Sequence, residues 1–314
     1  MTSARHAPDA EVTWAPAQPT DVHATLAGLR RGSADPTYRT TTDGALWRTT
    51  LTTDGPATVR LSQPPGWAGL HEVTCRAWGP GAQDAVARAP RTLGSDDDPS
   101  GFVPHPRLHR THRARPGLRV PCTGAVLESL VPAVIEQRVI GLQAQASWRW
   151  LVRAYGTPAP GPAPDGMVVV PTVAAWLSIP VWDWHRAGVD PRRMRTARAC
   201  LTVANRMEEC VRMDLPSAVR RLTAVPGVGV WTAAEVAQRA LGDADALSVG
   251  DYHLARVVGH ALFDHDDFTD EDMVAALEPW RPHRYRLVRL LEVSGLARAT
   301  RRAPRAAFVD HRRH

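Results

Sequence analysis

Short runs of alternating apolar and polar residues occupy the first third of the chain. They are rich in Thr, Val, Leu and Trp, and they cover residues 38–42, 45–52, 58–62 and 71–77. Two of the connections between runs contain Asp-Gly pairs, Asp43-Gly44 and Asp54-Gly55. Because both residues of such a pair tolerate a positive φ, an Asp-Gly pair between alternating runs indicates a β-hairpin. The pattern therefore predicts an antiparallel sheet of four or five strands, followed by a helix near residues 83–91.

Helical spacing replaces this alternation in the rest of the chain. Apolar residues recur every three or four positions over residues 126–155, where Pro132 is expected either in a first turn or between two helices. A linker rich in Pro and Gly follows at residues 157–165. Further helices are predicted at residues 172–177, 182–187, 191–213 and 217–224.

Together these patterns predict an α+β fold in which an antiparallel β-rich domain precedes a mostly α-helical domain. The β-rich domain is expected over residues 35–100 and the helical domain over residues 101–296. Residues 1–34 show no clear period and are expected to be partly disordered. Residues 297–314 contain six arginines and form a predicted basic tail.

The chain of 314 residues contains 38 basic residues, and all of them are arginine. The absence of lysine excludes any mechanism that needs a lysine amine, such as a Schiff base or a P-loop. With a formal net charge of +6 and a sequence pI near 9.7, the chain is expected to bind an anionic partner. Arginine suits that role because its planar guanidinium makes bidentate contacts with phosphate.

No apolar run reaches the roughly 18 residues that a membrane helix needs, and the N-terminus lacks an apolar signal region. We therefore expect no membrane partner and a cytoplasmic protein. The cysteines are scattered without a C-x-x-C pair, which favours buried, reduced thiols. These cysteines are Cys75, Cys122, Cys200 and Cys210.

Three histidines, His105, His109 and His112, have a spacing that leaves zinc binding open. No Cys, Asp or Glu stands at ligand spacing nearby, so a polar surface segment is favoured and no metal site is predicted.

The most informative segment reads L-x-x-V-P-G-V-G-x-x-T-A over residues 222–233. Pro226 ends the preceding helix, and Gly227 and Gly229 allow a tight hairpin with positive φ. Val225 and Val228 are apolar plugs that are expected to hold the hairpin to the core. A second helix, predicted over residues 231–241, then begins with free backbone N–H groups that suit a phosphate oxygen. The alternative is a plain connection between two helices with a Gly turn.

This segment is followed by V-G-D-Y, in which Asp251 lies 22 residues after Gly229. The combination resembles the helix-hairpin-helix DNA glycosylases, and most of all the 3-methyladenine DNA glycosylase II branch, whose members excise alkylated bases. Residues 134–139, V-I-E-Q-R-V, are similar to the segment that supplies the side chain wedged into the DNA stack. The β-rich region resembles the extra N-terminal domain of that branch, so the resemblance covers residues 35–296.

The resemblance implies a monofunctional DNA glycosylase, a hydrolase that cuts the N-glycosidic bond of a flipped, damaged base in base excision repair. The implied substrate is an alkylated purine in double-stranded DNA. We expect a monomer associated with the nucleoid and no cofactor, although the hairpin carbonyls offer a site for a monovalent cation. The alternative is a non-catalytic helix-hairpin-helix DNA-binding protein that has lost excision activity.

Asp251 stands where this family carries its catalytic aspartate. Cleavage of an N-glycosidic bond builds an oxocarbenium-like sugar, and a carboxylate beside C1′ stabilises the positive charge. Asp251 also suits the N-cap of a helix predicted over residues 252–262, and the two roles are compatible.

Trp231 occupies the position where bifunctional members of the family place a lysine. Because the chain has no lysine, an imine and a lyase step are excluded. The indole suits a base pocket, where it stacks on a flipped base, although burial for structural reasons is an alternative. Tyr252 and Trp280 are the other aromatic candidates for this pocket.

Two positions depart from the pattern of the branch. Arg138 stands where relatives often use an aliphatic wedge, and it either fills the space left by a flipped base or is a solvated helix residue. Glu235, one turn after Trp231, stands where an aromatic residue is common. Its carboxylate is expected to attract a cationic base, to donate a proton to a neutral leaving base, or to pair with Arg239 at the surface. The predicted DNA contacts are Gln137, Arg138, Pro226, Gly227, Val228, Gly229 and Thr232.

Overall fold

Five antiparallel strands form one sheet in the N-terminal third of the chain. The computed structural model describes residues 7–64 and 71–297. Along the sheet the strands follow the order β1-β5-β4-β3-β2. The strands are β1 (Ala10–Trp14), β2 (Tyr38–Thr40), β3 (Leu46–Thr52), β4 (Gly55–Ser62) and β5 (Val73–Trp78). The helices that follow complete the α+β fold that the sequence predicts.

Both Asp-Gly hairpins predicted from the sequence are present. Gly44 has a φ of 77° and lies in the turn that joins β2 to β3. In the second hairpin Thr52 pairs with Gly55, so the turn between β3 and β4 contains Asp54. Gly55 has a φ of 127°, which side chains rarely adopt, and this explains why glycine follows the aspartate.

The described part of residues 1–34, a segment that the sequence predicts to be partly disordered, contains a strand and a helix. In the described part of that segment, Ala10–Trp14 pairs with β5, and a short helix, α1, covers Val22–Leu26. Val22 and Leu26 are buried in the core of the sheet domain. The sequence pattern does not reveal β1 because its alternation spans only five residues. Residues 1–6 lie outside the described residues.

Helices make up most of the remaining described chain. Helix α2 (Ala82–Thr92) packs on the sheet, which confirms the helix predicted near residues 83–91. Two-residue strands, β6 (Thr157–Pro158) and β7 (Val168–Val169), pair with each other; β6 forms the start of the predicted Pro/Gly linker and β7 follows its end. The other helices are α3 (His109–Ala114), α4 (Val126–Glu136), α5 (Gly141–Tyr155), α6 (Val173–Ser178), α7 (Val181–Arg186), α8 (Pro191–Thr202), α9 (Ala204–Glu208), α10 (Leu215–Thr223), α11 (Val230–Val236), α12 (Leu254–Phe263), α13 (Asp270–Leu277) and α14 (Arg284–Val293).

Two helix boundaries differ from the sequence prediction. The break between α4 and α5 lies at residues 137–140, and Pro132 is buried inside α4. The chain turns there because Gln137 is extended and Arg138 has a φ of 55°, in the left-handed region. The long helix predicted over residues 191–213 is divided into α8, α9 and a 3₁₀ segment, Glu209–Arg212.

Three large hydrophobic cores and one small cluster, formed by Ala45, Trp47, Trp78 and Met167, organise the described residues. The first lies between the sheet, α1 and α2. The second is built mainly by α4 to α11, and the third by residues 102–120 together with α12 to α14. The segment predicted as one helical domain therefore contains two cores.

All four cysteines are buried and unpaired, as the sequence predicts. Burial raises the pKa of Cys75 and of Cys200 to about 12. None of the helices within the described ranges is long and apolar enough to cross a bilayer. The predicted basic tail falls almost entirely on residues 298–314, outside the described residues.

The three clustered histidines have separate partners. His105 accepts a hydrogen bond from the amide of Arg107, and the ring of His109 contacts the carbonyl of Pro104. The ring of His112 packs edge-on against that of Phe102. Across residues 7–64 and 71–297, no group of three or more His, Cys, Asp or Glu side chains is arranged to hold a metal ion.

Candidate active site

A cleft of about 970 Å³ opens beside the hairpin between α10 and α11. Four segments line it. They are residues 136–141, the start of α8 with Asp190 before it, the hairpin with the start of α11, and residues 250–253. The cleft therefore lies between elements of the second core and the segment that leads into the third core. The predicted site residues that line it are Gln137, Arg138, Gly227, Val228, Gly229, Trp231, Thr232, Glu235, Asp251 and Tyr252.

The hairpin, defined here as residues 225–229, is held to the core by its two valines. Val225 and Val228 are buried as predicted, and the amide of Val228 donates to the carbonyl of Val225 at 3.0 Å. Gly227 has a φ of 91°, and a Cβ atom there would lie 2.2 Å from Oγ1 of Thr196. Glycine is therefore required at position 227 by both backbone conformation and space.

Gly229 corrects one part of the hairpin prediction. Its φ is −97°, so it does not need the positive φ that the sequence analysis assigned to it. A Cβ atom at this position would meet nothing within 4 Å. Gly229 is the N-cap of α11, and no side chain in the described part of the protein caps that helix. The backbone at the start of α11 is therefore open to the cleft.

The wedge loop, defined here as residues 137–140, is fastened to the hairpin by Gln137. Its Nε2 donates to the carbonyl of Gly227 and to Oγ1 of Thr232, both at 2.9 Å. The side chain of Thr232 is buried and its hydroxyl serves this contact, so a direct DNA contact by that side chain is not supported. Val228 is likewise a buried plug, and its predicted DNA contact rests on its backbone alone. Pro226 is exposed on the hairpin but does not line the cleft.

Arg138 stands exposed at the turn of the wedge loop, in the left-handed conformation. Arg193 holds the end of α4 that leads into the loop, because its Nη1 donates to the carbonyl of Ile135 at 2.6 Å. Arg193 is itself buried and paired with Asp190. Burial alone would raise the pKa of Asp190, but hydrogen bonds and charge from Arg193 outweigh it, so the pKa lies below its usual value. The alternative of Arg138 as a helix residue is wrong, because it lies between two helices.

Asp251 uses its two carboxylate oxygens differently. Oδ1 accepts hydrogen bonds from the amides of His253 and Leu254, at 2.8 and 2.9 Å, just before and within the first turn of α12. Oδ2 accepts from Nε1 of Trp231 at 3.3 Å. The N-cap residue of α12 is His253, so Asp251 is not the N-cap that the sequence predicts. It stands two residues earlier, where Oδ1 holds the amides of His253 and Leu254 and Oδ2 faces Trp231 at the cleft.

Asp251 closes a tight turn over residues 248–251. Its amide donates to the carbonyl of Ser248 at 3.1 Å, and Gly250 has a φ of 92° at the third position of the turn. A positive φ at that position is the reason for glycine in V-G-D-Y.

Glu235 does pair with Arg239, at 2.7 Å, but the pair is not at the surface. Glu235 is only 8% exposed, and Ser248 donates to its second oxygen at 2.6 Å. Burial would lower the pKa of Arg239, but the nearby carboxylate of Glu235 raises it above its usual value. The surface alternative for Glu235 is therefore wrong.

Trp280 is misplaced by the sequence prediction. Its Nε1 donates to the carbonyl of Val103 at 2.9 Å, and its ring lies 5.7 Å from that of His105. It packs against the third core and does not line the cleft. Tyr252 does line it, with the guanidinium of Arg256 5.1 Å from the centre of its ring.

Several cleft residues escape the sequence analysis. Asp190, Arg192 and His253 line the cleft, and Ser248 lies behind it. The first two belong to Asp-Pro-Arg-Arg, a helix-start signal that was available in the sequence. His253 stands two residues after Asp251, and this proximity in the sequence could have indicated that it lies at the site. The position of Ser248 behind the cleft depends on a tertiary contact and has no such signal.

Comparison with known proteins identifies a sequence relative that is present in two strains of Mycobacterium tuberculosis. No protein-family model matches the chain. A probable bifunctional transcriptional activator/DNA repair enzyme AlkA of Mycobacterium tuberculosis is 33% identical over 178 residues. The match covers 54% of this chain and 35% of the relative, so the chain spans about a third of that protein's length.

Solved structures match over nearly the whole chain. The 3-methyladenine DNA-glycosylase of Archaeoglobus fulgidus superposes with a TM-score of 0.70 and 17% identity, covering 90% of this chain and 97% of that one. The 8-oxoguanine glycosylase/lyase of Clostridium acetobutylicum gives a TM-score of 0.66 and 11% identity, with 91% and 97% covered. The chain thus has the fold of the helix-hairpin-helix DNA glycosylases, and it is similar in sequence to a protein named as a DNA repair enzyme.

Proposed function

We propose that this chain is a monofunctional DNA glycosylase that hydrolyses the N-glycosidic bond of a flipped, damaged base, with an alkylated purine in duplex DNA as its substrate. The observation that carries the proposal is the position of Asp251. Its carboxylate contacts Trp231 in a cleft that also contains the hairpin and Arg138.

The hairpin is the proposed site for the DNA backbone. The exposed backbone at Gly227 and Gly229 and the uncapped start of α11 offer amides to phosphate oxygens. Contacts of this kind do not depend on base sequence, which suits an enzyme that searches DNA for damage. Arg138 and Arg192, both exposed in the cleft, add positive charge.

The base enters the cleft by leaving the DNA stack. Unstacking costs a few kcal/mol, and Arg138 offsets part of that cost by filling the vacated space. The indole of Trp231 then stacks on the base, and a cationic alkylated purine gains about 1–2 kcal/mol from the ring. Tyr252 and Glu235 complete the lining of the proposed pocket.

Hydrolysis breaks the bond between C1′ and the base nitrogen, and the base leaves with the electron pair. The negative charge of Asp251 stabilises the positive charge that develops on the sugar. The oxygen of a water molecule then forms the new bond to C1′, and its proton passes to Asp251 or to solvent. A cationic alkylated base becomes neutral on leaving, so it needs no proton donor.

The names of similar proteins support an alkylated substrate. One solved structure with this fold is a 3-methyladenine DNA-glycosylase, and the sequence relative is named as a DNA repair enzyme. A lyase step, as named for the 8-oxoguanine enzyme, is not proposed for this chain because it contains no lysine.

A non-catalytic DNA-binding protein is the second candidate. The observation in its favour is that Oδ1 of Asp251 accepts the amides of His253 and Leu254 at the start of α12, which gives this residue a structural reason to be present.

A base-release screen tests the proposal and separates the two candidates. Duplexes carrying methylated, oxidised or deaminated bases are incubated with the full chain, and free base and strand breaks are measured. We expect release of alkylated purines and an abasic strand that breaks only after alkali treatment. Binding to every duplex without release of any base would favour the binding protein, and strand breaks without alkali would contradict a monofunctional enzyme.

A further inference from the structure

Glu235 belongs to a buried chain of hydrogen bonds that begins in the N-terminal segment. Arg239 donates from Nε to the carbonyl of Gly28 at 3.1 Å and from Nη1 to Oε2 of Glu235 at 2.7 Å. Oε1 of Glu235 accepts from the hydroxyl of Ser248 at 2.6 Å. Each carboxylate oxygen therefore already has a protein donor.

Ser248 is held from a second side by Gln238. Nε2 of Gln238 donates to Oγ of Ser248 and to the carbonyl of Ala246, both at 2.9 Å. The hydroxyl thus donates to Glu235 and accepts from Gln238. Ser248 is 5% exposed and is not part of the cleft wall; it lines a smaller cavity behind the cleft together with Glu235 and Asp251.

Ser248 is also the first residue of the turn that ends at Asp251. Its carbonyl accepts the amide of Asp251 at 3.1 Å, and the amide of Gly250 is held by the carboxylate of Asp270 at the same distance. Fixing Ser248 therefore fixes the start of the turn. The turn then determines the position of Asp251 in the cleft.

We propose that Glu235 is a positioning residue, which acts through Ser248 to hold Asp251 beside the sugar. This inference rests on the proposed glycosylase function. It assigns the carboxylate to the rear of the site, where it contacts protein donors, and it makes direct recognition of the base by that carboxylate unnecessary. Displacement of a catalytic group by about 1 Å is enough to cost up to 10²-fold in rate, so such anchoring matters.

The network also explains why a carboxylate stands at a position where the resembled branch commonly has an aromatic residue. Arg239 is mostly buried, with 16% of its side chain exposed, so leaving it without a counter-charge would be unfavourable. Glu235 neutralises it and makes a charge-assisted hydrogen bond to Ser248. An aromatic residue would do neither.

The test measures single-turnover base release, duplex affinity and amide hydrogen exchange for Ser248→Ala and Ser248→Thr. For Ser248→Ala we expect a rate roughly 10- to 100-fold lower, unchanged affinity, and faster exchange at residues 249–254. Ser248→Thr retains the hydroxyl and is expected to recover most of the rate. Ser147→Ala is the matched control, since Ser147 is equally buried and donates within α5 to the carbonyl of Gln143.

Glu235→Asp provides a second variant in case Ser248→Ala does not fold. It keeps the charge for Arg239 but draws the oxygen away from Ser248, so it is expected to lower the rate in the same way. Unchanged rate and unchanged exchange in Ser248→Ala would overturn the inference. A second pattern would also overturn it: Glu235→Gln changes the preference among bases while Ser248→Ala behaves as wild type. That pattern would mean that Glu235 contacts the base.

Hydrogen exchange separates this inference from the proposed function. If the wild-type chain releases no base, the glycosylase proposal fails, and the catalytic part of the inference fails with it. Faster exchange at residues 249–254 in Ser248→Ala would then still establish that the network holds the Asp251 turn. Unchanged exchange would reject that as well.

Discussion

Asp251 divides its carboxylate between a structural and a chemical position. Oδ1 accepts two amides at the start of α12, which fixes the orientation of the group, and Oδ2 contacts Trp231 at the cleft. A carboxylate that is already oriented needs little rearrangement when charge develops on a neighbouring sugar. The proposed catalytic role of Asp251 and its structural role at the start of α12 are therefore compatible in one side chain.

Gly227 and Gly229 look equivalent in the sequence but differ in their physical requirements. Gly227→Ala is expected to destabilise the protein by roughly 1–3 kcal/mol or more, because it places a side chain at positive φ and against Thr196. Gly229→Ala, with a negative φ and open space, is the matched control and is expected to change stability little. Urea unfolding of both variants measures the difference. Equal losses of stability would contradict this distinction.

The wedge loop and the hairpin form one unit. Gln137 fastens them together, and Arg193 anchors the end of α4 below them. The sequence predicted each of these two segments separately, from V-I-E-Q-R-V and from the hairpin string. It did not predict the contact between them, because no local pattern encodes which polar side chains meet across elements.

Replacing Gln137 with Ala is expected to loosen this unit without unfolding it. Two hydrogen bonds are lost, each contributing about 0.5–1.5 kcal/mol. We expect weaker preference for a duplex with an abasic site over an intact duplex, since the wedge loop no longer sits at a fixed position. Competition binding measures that preference.

Gln83→Ala is the control for this variant, because Gln83 is exposed on α2 and does not line the cleft. A wild-type preference in Gln137→Ala would show that the contact with the hairpin is not needed to place the wedge loop.

Local patterns were sufficient where the structure is locally determined. The Asp-Gly hairpins, α2 and the Pro-Gly hairpin are all present as predicted. Local sequence patterns did not predict features that depend on tertiary contacts. Strand β1 is short and is stabilised by pairing with β5, Trp280 packs against Val103 and His105, and Glu235 is buried beside Ser248. None of these contacts has a signature in sequence spacing.

Charge acts over the protein as a whole. With 38 arginines, no lysine and a net charge of +6, DNA affinity is expected to fall steeply with salt. Arg192→Ala, at the cleft, is expected to weaken binding for all sequences and to reduce the slope of log affinity against log salt by about 1. Titrations at several salt concentrations measure the slope.

Arg186→Ala serves as the control for charge alone. Arg186 is highly exposed on α7 but does not line the cleft, so its loss is expected to leave the slope almost unchanged. Equal changes in the two variants would mean that DNA does not bind preferentially at the cleft.

The most direct test of the whole account is single-turnover base release by Asp251→Asn. The amide oxygen of asparagine can accept the same backbone N–H groups, so the substitution removes the charge while keeping the hydrogen bonds to the amides of His253 and Leu254. We expect release from alkylated duplex DNA to fall by at least ~10²-fold, with duplex affinity and stability close to wild type. Release at the wild-type rate would contradict the account, because Asp251 would then serve only to hold the amides at the start of α12.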